Sequence, residues 1–174
     1  MSRARPSALA ARDIGLEARV EGADHHSLKL WLRLLACSTQ VETEIRSRLR
    51  ESFNISLPRF DYLAQLYRHR DGLRMNMLTR YLMVTGGSVT GLTDELEKDG
   101  LVQRDNDPDD RRSVRVCLTA AGRKSFERMA REHEAWVVEL FAGIDTTQKK
   151  SMYEALGRLR VQLTDAAAIK KDKP

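Results

Sequence analysis

The residues best able to do chemistry lie between Leu78 and Thr119, in LTRYLMVTGGSVTGLTDELEKDGLVQRDNDPDDRRSVRVCLT. Ser88 and Thr90 carry hydroxyls that can bond to base edges or phosphates. Gly87 and Gly91 beside them would let a helix backbone approach a groove wall closely. Thr85 stands where a turn must open into a helix, and its hydroxyl can cap the free N–H groups of the first turn. Val89, Leu92 and Leu96 recur at helical spacing and mark a core-facing stripe. Gly87, Gly91, Asp94 and Lys98 fall on the opposite face. Asp94, Glu95 and Glu97 make the C-terminal half acidic, which phosphates would repel, so the N-terminal half is the end suited to a major groove. Farther on, Arg111 and Arg112 sit near the tip of a turn-rich stretch. Adjacent arginines on a projecting loop can reach a narrow minor groove, and Asp110 is placed to orient Arg112 through a carboxylate–guanidinium pair. Each feature alone has a plain reading, as a core helix or as a solvated turn. Their direct succession favours a device that reads DNA.

The elements that must position these residues follow from pattern. A short helix over Asn76–Met83 leads into the turn before Thr85, and the second helix ends at Asp99-Gly100. Leu101–Arg104 and Ser113–Leu118 read as two strands, with the turn formers Asp105 to Arg112 between them. This is the order of a winged helix-turn-helix. Upstream, Leu28, Trp31, Leu34, Leu35, Ser38, Val41, Ile45 and Leu49 keep a helical spacing from Asp24 to about Arg50. Leu57-Pro58 opens a further helix, with proline in the first turn where its missing N–H costs nothing; Phe60, Leu63, Leu66 and Tyr67 form its stripe. Thr119 begins a long helix marked by Phe126, Met129, His133, Trp136, Val137, Leu140 and Ile144. Asp145-Thr146-Thr147 breaks and re-caps it, and a last helix carries Met152, Leu156, Leu159 and Leu163. Three terminal helices with apolar stripes suggest a helical dimer layer; packing within one chain is the alternative.

The segment GGSVTGLTDELEKDGLVQRDNDPDDRRSVRVCLTAAG resembles the core of the MarR family of bacterial transcriptional regulators, most specifically through Asp110-Arg111-Arg112, Leu118-Thr119 and Gly122. The resemblance extends over about residues 28–163. It implies a mainly α fold with a small β-hairpin wing and a helical dimerisation layer. It also implies a homodimer that binds a palindromic double-stranded operator, in most cases as a repressor, and that a small aromatic or phenolic acid weakens that binding. By the match, Arg112 is the wing-tip arginine, Asp110 its partner, and Ser88, Thr90 and Thr93 are recognition-helix contacts. Gly86-Gly87 departs from the pattern, since relatives more often carry a proline and a polar residue there. Fewer side chains are left for base readout.

The family's effector pocket lies between the dimer layer and the winged domain, near the first, second and fifth helices. Here those helices supply Trp31, Leu35, Phe60, Leu63, Phe126 and Met129, with Arg59 as a nearby cation, although each also reads as plain core. Such a lining suits an aromatic carboxylate or its coenzyme A thioester. The Leu57–Leu66 segment is loosely similar to regulators of aromatic-acid catabolism.

Composition sets bounds. The 174 residues carry a net charge of +5. The segment from Arg68 to Lys124 holds 11 Lys/Arg against 9 Asp/Glu, only +2. A DNA-binding face must therefore arise from spatial sorting of charge, with Arg74, Arg80, Arg104, Arg111, Arg112, Arg115 and Lys124 as its positive edge. That near balance leaves open a protein-interaction adaptor. No apolar run reaches the ~20 residues of a membrane span, and no signal segment opens the chain, so a cytoplasmic location is expected. His25, His26, His69 and His133 lack the spacing of a closed metal site. No nucleophile–base set or phosphate-cradling loop appears, so neither an enzyme nor a cofactor is expected. Cys37 reads as a buried structural thiol, with a thiol-based oxidation sensor as the alternative; Cys117 reads as packing in a strand. The expected organisation is a flexible tail over 1–23, a dimerisation helix over 24–56, a DNA-binding domain over 57–120, dimerisation helices over 121–168 and a tail over 169–174.

Overall fold

A computed structural model describes residues 25–82, 85–107 and 110–171, with backbone alone at 107, 110–112 and 166–171. The expected tail over 1–23 lies outside the described residues. The elements are α1 (His26–Phe53), α2 (Leu57–Arg68), β1 (Leu73–Arg74), α3 (Met75–Leu82), α4 (Gly86–Lys98), β2 (Val102–Asp107), β3 (Asp110–Leu118), α5 (Ala120–Leu140) and α6 (Thr146–Lys171). They divide into two compact units, one up to Val137 and one from Val138 onward.

The first unit contains the helix-turn-helix and its hairpin. Asn54 ends α1 in the left-handed region, at φ 52°. Its N–H donates to the Arg50 carbonyl at 3.0 Å and that of Ile55 donates to Leu49 at 3.4 Å, so two orphan carbonyls are met. Ser56 and Pro58 then start α2. Tyr62, Leu63 and Leu66 from α2, Leu78 from α3, and Val89 and Leu96 from α4 are all essentially inaccessible to solvent. Each apolar one contributes about 1.5–3 kcal/mol by leaving water. This shared core fixes the angle between α3 and α4. Val102 and Val116 carry it onto the sheet.

The sheet is antiparallel, in the order β1-β3-β2. β1 is a two-residue strand with Leu73 opposite Val116 and Arg74 opposite Arg115. It had no alternation long enough to show in the sequence. The hairpin is longer than expected. Asp105 pairs with Arg115 and Asn106 with Val114, and the register becomes irregular between Asn106 and Asp107. Asp and Asn are poor strand formers; of these residues Asp105 alone stands opposite a cation, Arg115.

Gly122 joins the hairpin to α5. A Cβ there would lie 1.8 Å from the Leu101 carbonyl oxygen. Thr119 caps the helix by accepting from the Gly122 N–H at 2.9 Å, and donates its hydroxyl to the Gly100 carbonyl at 2.7 Å. Along α5, Phe126 packs on Phe60 and Tyr67 at ring separations of 5.4 and 4.9 Å. His133 lies against Phe60 at 4.9 Å, and burial lowers its pKa.

In the second unit, Asp145 and Gln148 form a reciprocal cap. The Gln148 N–H donates to Asp145 Oδ1 at 2.9 Å and the Asp145 N–H donates to Gln148 Oε1 at 3.2 Å. α6 runs to Lys171, three residues past the expected boundary at 168. Met152, Leu156, Leu159 and Leu163, spaced along one helical face, are 46%, 43%, 38% and 62% exposed.

Candidate nucleic-acid interface

Thr85 caps α4 as the sequence suggests. It has extended backbone angles, and its Oγ1 accepts from the Ser88 N–H at 3.4 Å. The hydroxyls of Thr85 and Ser88 also bond to each other at 2.9 Å, and Thr90 Oγ1 donates back to the Gly86 carbonyl at 3.2 Å. Ser88 and Thr90 are thus exposed but hold local bonds, which they must exchange to reach a base. Gly86, Gly87 and Gly91 are exposed, and a Cβ at any of them would meet nothing within 4 Å. The N-terminal half of α4 therefore presents a bare, outward backbone surface. Its unsatisfied N–H groups and the positive end of its dipole favour an anion such as a phosphate. Arg80 is exposed on the last turn of α3.

Thr93 departs from its expected role. It is fully buried. Its hydroxyl bonds to the Tyr62 hydroxyl at 2.6 Å and donates to the Val89 carbonyl at 2.7 Å. Four residues on from Val89, it shares that residue's inward face, so it fastens α4 to α2 and has no access to a groove. Desolvation pushes the Tyr62 phenol up to about 12, so that link stays uncharged throughout the ordinary pH range.

Arg104 leaves the positive edge as well. Its guanidinium pairs with both Asp94 and Glu97, and its N–H donates to Glu97 Oε1 at 3.2 Å. The hydrogen bond to Asp94 raises the Arg104 pKa further. The acidic half of α4, which the sequence offers only as repulsive to DNA, is thereby partly neutralised and clamped to β2. No spacing rule links residues on a helix to a strand, so this clamp leaves no signal in the sequence. Asp110, Arg111 and Arg112 lie at the start of β3. The expected Asp110–Arg112 pair lies outside the described side chains.

The effector residues divide three ways. Phe60, Leu63, Phe126 and Met129 are buried at 6% exposure or less and form core. Trp31 and Leu35 are 55% and 45% exposed on α1. Arg59 pairs with Asp99 at the C-terminal end of α4. Of the seven, Arg59 and Met129 border one cavity, between the end of α1, α2, the α4–β2 junction and α5. Cys37 is exposed rather than buried. Burial and the nearby Asp105 carboxylate raise the Cys117 thiol, as expected for a packing residue. Among the described residues no cluster of His, Cys, Asp or Glu could hold a metal ion, and no helix is long and apolar enough to cross a membrane.

Comparison with known proteins converges on one family. The family described as "MarR family" matches residues 55–114, the segment from the end of α1 into β3. The chain is 32% identical over 122 residues to the transcriptional activatory protein BadR of Rhodopseudomonas palustris, covering 69% of this chain and 67% of that protein. It is 29% identical over 114 residues to YdgJ of Bacillus subtilis, an uncharacterized HTH-type transcriptional regulator, covering 66% and 69% respectively. Among solved structures it resembles Sco3205, a MarR family transcriptional regulator from Streptomyces coelicolor crystallised in complex with DNA. That likeness has a TM-score of 0.70 at 24% identity, over 81% of this chain and 89% of the other.

Proposed function

This chain belongs to the MarR family, and from that premise we propose that it is a homodimeric repressor that holds a palindromic operator and releases it on binding a small aromatic acid or its coenzyme A thioester. That it is a DNA-binding transcriptional regulator follows from the family; the operator, the effector and the sign of regulation are our reading. The observation that carries it is the N-terminal half of α4: capped by Thr85, bare at Gly87 and Gly91, and facing outward. Gly87, Ser88, Thr90 and Gly91 would meet the major groove, Thr85 and Arg80 the phosphates, and Arg111 and Arg112 the minor groove. Residues 57–120 form the DNA-binding part, and 24–56 with 121–168 the dimer layer. Exposed Leu28, Trp31 and Leu35 on α1, and the α6 stripe, supply apolar surface for that layer. Two-fold symmetry would place the α4 helices about one helical turn of DNA apart, ~34 Å.

The effector half is tested by fluorescence anisotropy of the protein on its operator, with benzoate, cinnamate and their coenzyme A thioesters added. Release by one of these at concentrations that leave a non-cognate regulator bound is the expected result. Retention in the presence of all of them would remove the effector. Two observations favour other readings of regulation. BadR is named an activatory protein, and a reporter fused to the operator decides the sign. The exposed Cys37 thiol suits an oxidation sensor; DNA release by mild peroxide that Cys37→Ser abolishes would select that reading.

A further inference from the structure

The N-terminal half of α4 runs Gly86-Gly87-Ser88-Val89-Thr90-Gly91. It holds no Arg, Lys, Asn or Gln, the side chains that make paired hydrogen bonds to guanine and adenine in the major groove. The one cation of the helix, Lys98, is its last residue, and Asp94 is held by Arg104. Hydrogen bonding to bases from this half therefore falls to Ser88 and Thr90, and both hydroxyls are engaged. Ser88 Oγ bonds to the Thr85 hydroxyl in the helix cap at 2.9 Å. Thr90 Oγ1 donates its single proton to the Gly86 carbonyl at 3.2 Å. That bond turns the hydroxyl back along the helix, and the Cγ2 methyl is the other end of the side chain.

Turning either hydroxyl to a base edge breaks a local bond of the first turn, so the gain at the base is offset by a loss in the helix. A contact made through carbon carries no such loss. Thr90 shares its outward face with Gly87 and Gly91, where a Cβ would meet nothing within 4 Å. Val89 and Thr93 point the opposite way, into the core. The outward surface is thus one methyl flanked by bare backbone. In the major groove the apolar counterpart is the C5 methyl of thymine.

We propose that α4 selects thymine, packing thymine C5 methyls against the Thr90 methyl and the bare backbone of Gly87 and Gly91. The helix reads a carbon surface in place of a hydrogen-bond pattern. This rests on the reading above that α4 enters the major groove, and it names what the helix recognises there.

The test begins with duplexes that the full chain enriches from a random pool, in which fixed half-site positions should carry thymine. Deoxyuridine then replaces thymidine at each of these positions, removing the C5 methyl and keeping every hydrogen-bonding group of the base. In fluorescence anisotropy each methyl lost under α4 should weaken binding about fourfold, the worth of burying one such group. A C·G pair at the same position should bind more weakly still, and 5-methylcytosine in its place should recover about fourfold. Thr90→Ser keeps the hydroxyl and removes the methyl, so it should lose the response to deoxyuridine at one position. Arg112→Ala should keep the whole response, because the hairpin is read from the minor groove.

Equal affinity for the deoxyuridine duplex, no recovery with 5-methylcytosine, or a response that Thr90→Ser leaves intact would each overturn the inference. A response that vanishes in Arg112→Ala would trace the effect to groove shape and overturn it too. If Gly91→Ala abolishes binding yet deoxyuridine changes nothing, the thymine reading fails while α4 keeps its place in the groove. If no duplex is enriched, or Gly91→Ala binds as wild type does, both fail.

Discussion

Gly91 separates two demands on one helix. An added methyl meets open space, and alanine is the better helix former by about 0.5–1 kcal/mol. Gly91→Ala should therefore raise the melting temperature while lowering operator affinity tenfold or more, because the methyl would occupy space the groove wall needs. Unchanged affinity would move the DNA contact off this face. Thr93→Val tests the reassigned hydroxyl. It strands the buried Tyr62 hydroxyl and should cost about 1–3 kcal/mol in urea unfolding; a Thr93 that only touched DNA would change affinity and leave stability alone. For the hairpin, Arg112→Ala should weaken operator binding strongly and reduce the slope of log affinity against log salt by about one. A slope equal to that of wild type would deny Arg112 a contact with DNA. Individual roles were partly legible in sequence. Thr85 was readable because capping is local, while Thr93 was misplaced because its partner Tyr62 is 31 residues away.

Helices were legible wherever periodicity was long, as for α1 and α5, and their ends wherever a cap was local, as at Leu57-Pro58 and Asp145. β1 is invisible in sequence because two residues carry no pattern, and the hairpin is longer than its apolar alternation indicates because its outer positions are rich in polar residues. The charge clamp from Arg104 to Asp94 and Glu97 was also invisible, since it depends on how a strand crosses a helix. Gly122 shows the same coupling between elements in steric form. It is the contact point at which α5 meets the Leu101 backbone, and neither backbone can yield. Gly122→Ala should cost about 3 kcal/mol, seen as a lower urea midpoint. A midpoint matching wild type would mean that the α5–hairpin junction tolerates a shift.

A single chain leaves α1 and α6 with apolar side chains in water: Leu28, Trp31 and Leu35 on one, and Met152, Leu156, Leu159 and Leu163 on the other. Exposed apolar stripes of this extent mark interaction surfaces, and two-fold pairing is the commonest way to cover them. The sequence exposed these stripes but could not say what covers them, because a pattern records which face is apolar and not whose chain meets it. The same ambiguity made Cys37 read as buried. The central claim is that two copies of this chain, each through α4 and its hairpin, hold one duplex. The most direct measurement is a fluorescence-anisotropy titration against the DNA immediately upstream of the protein's own coding region, repeated across a salt series, with sedimentation to fix stoichiometry. Saturable binding, two protomers per duplex, and affinity that falls steeply with salt are expected. Affinity no greater than for random duplex, or a saturated complex with one protomer, would contradict it.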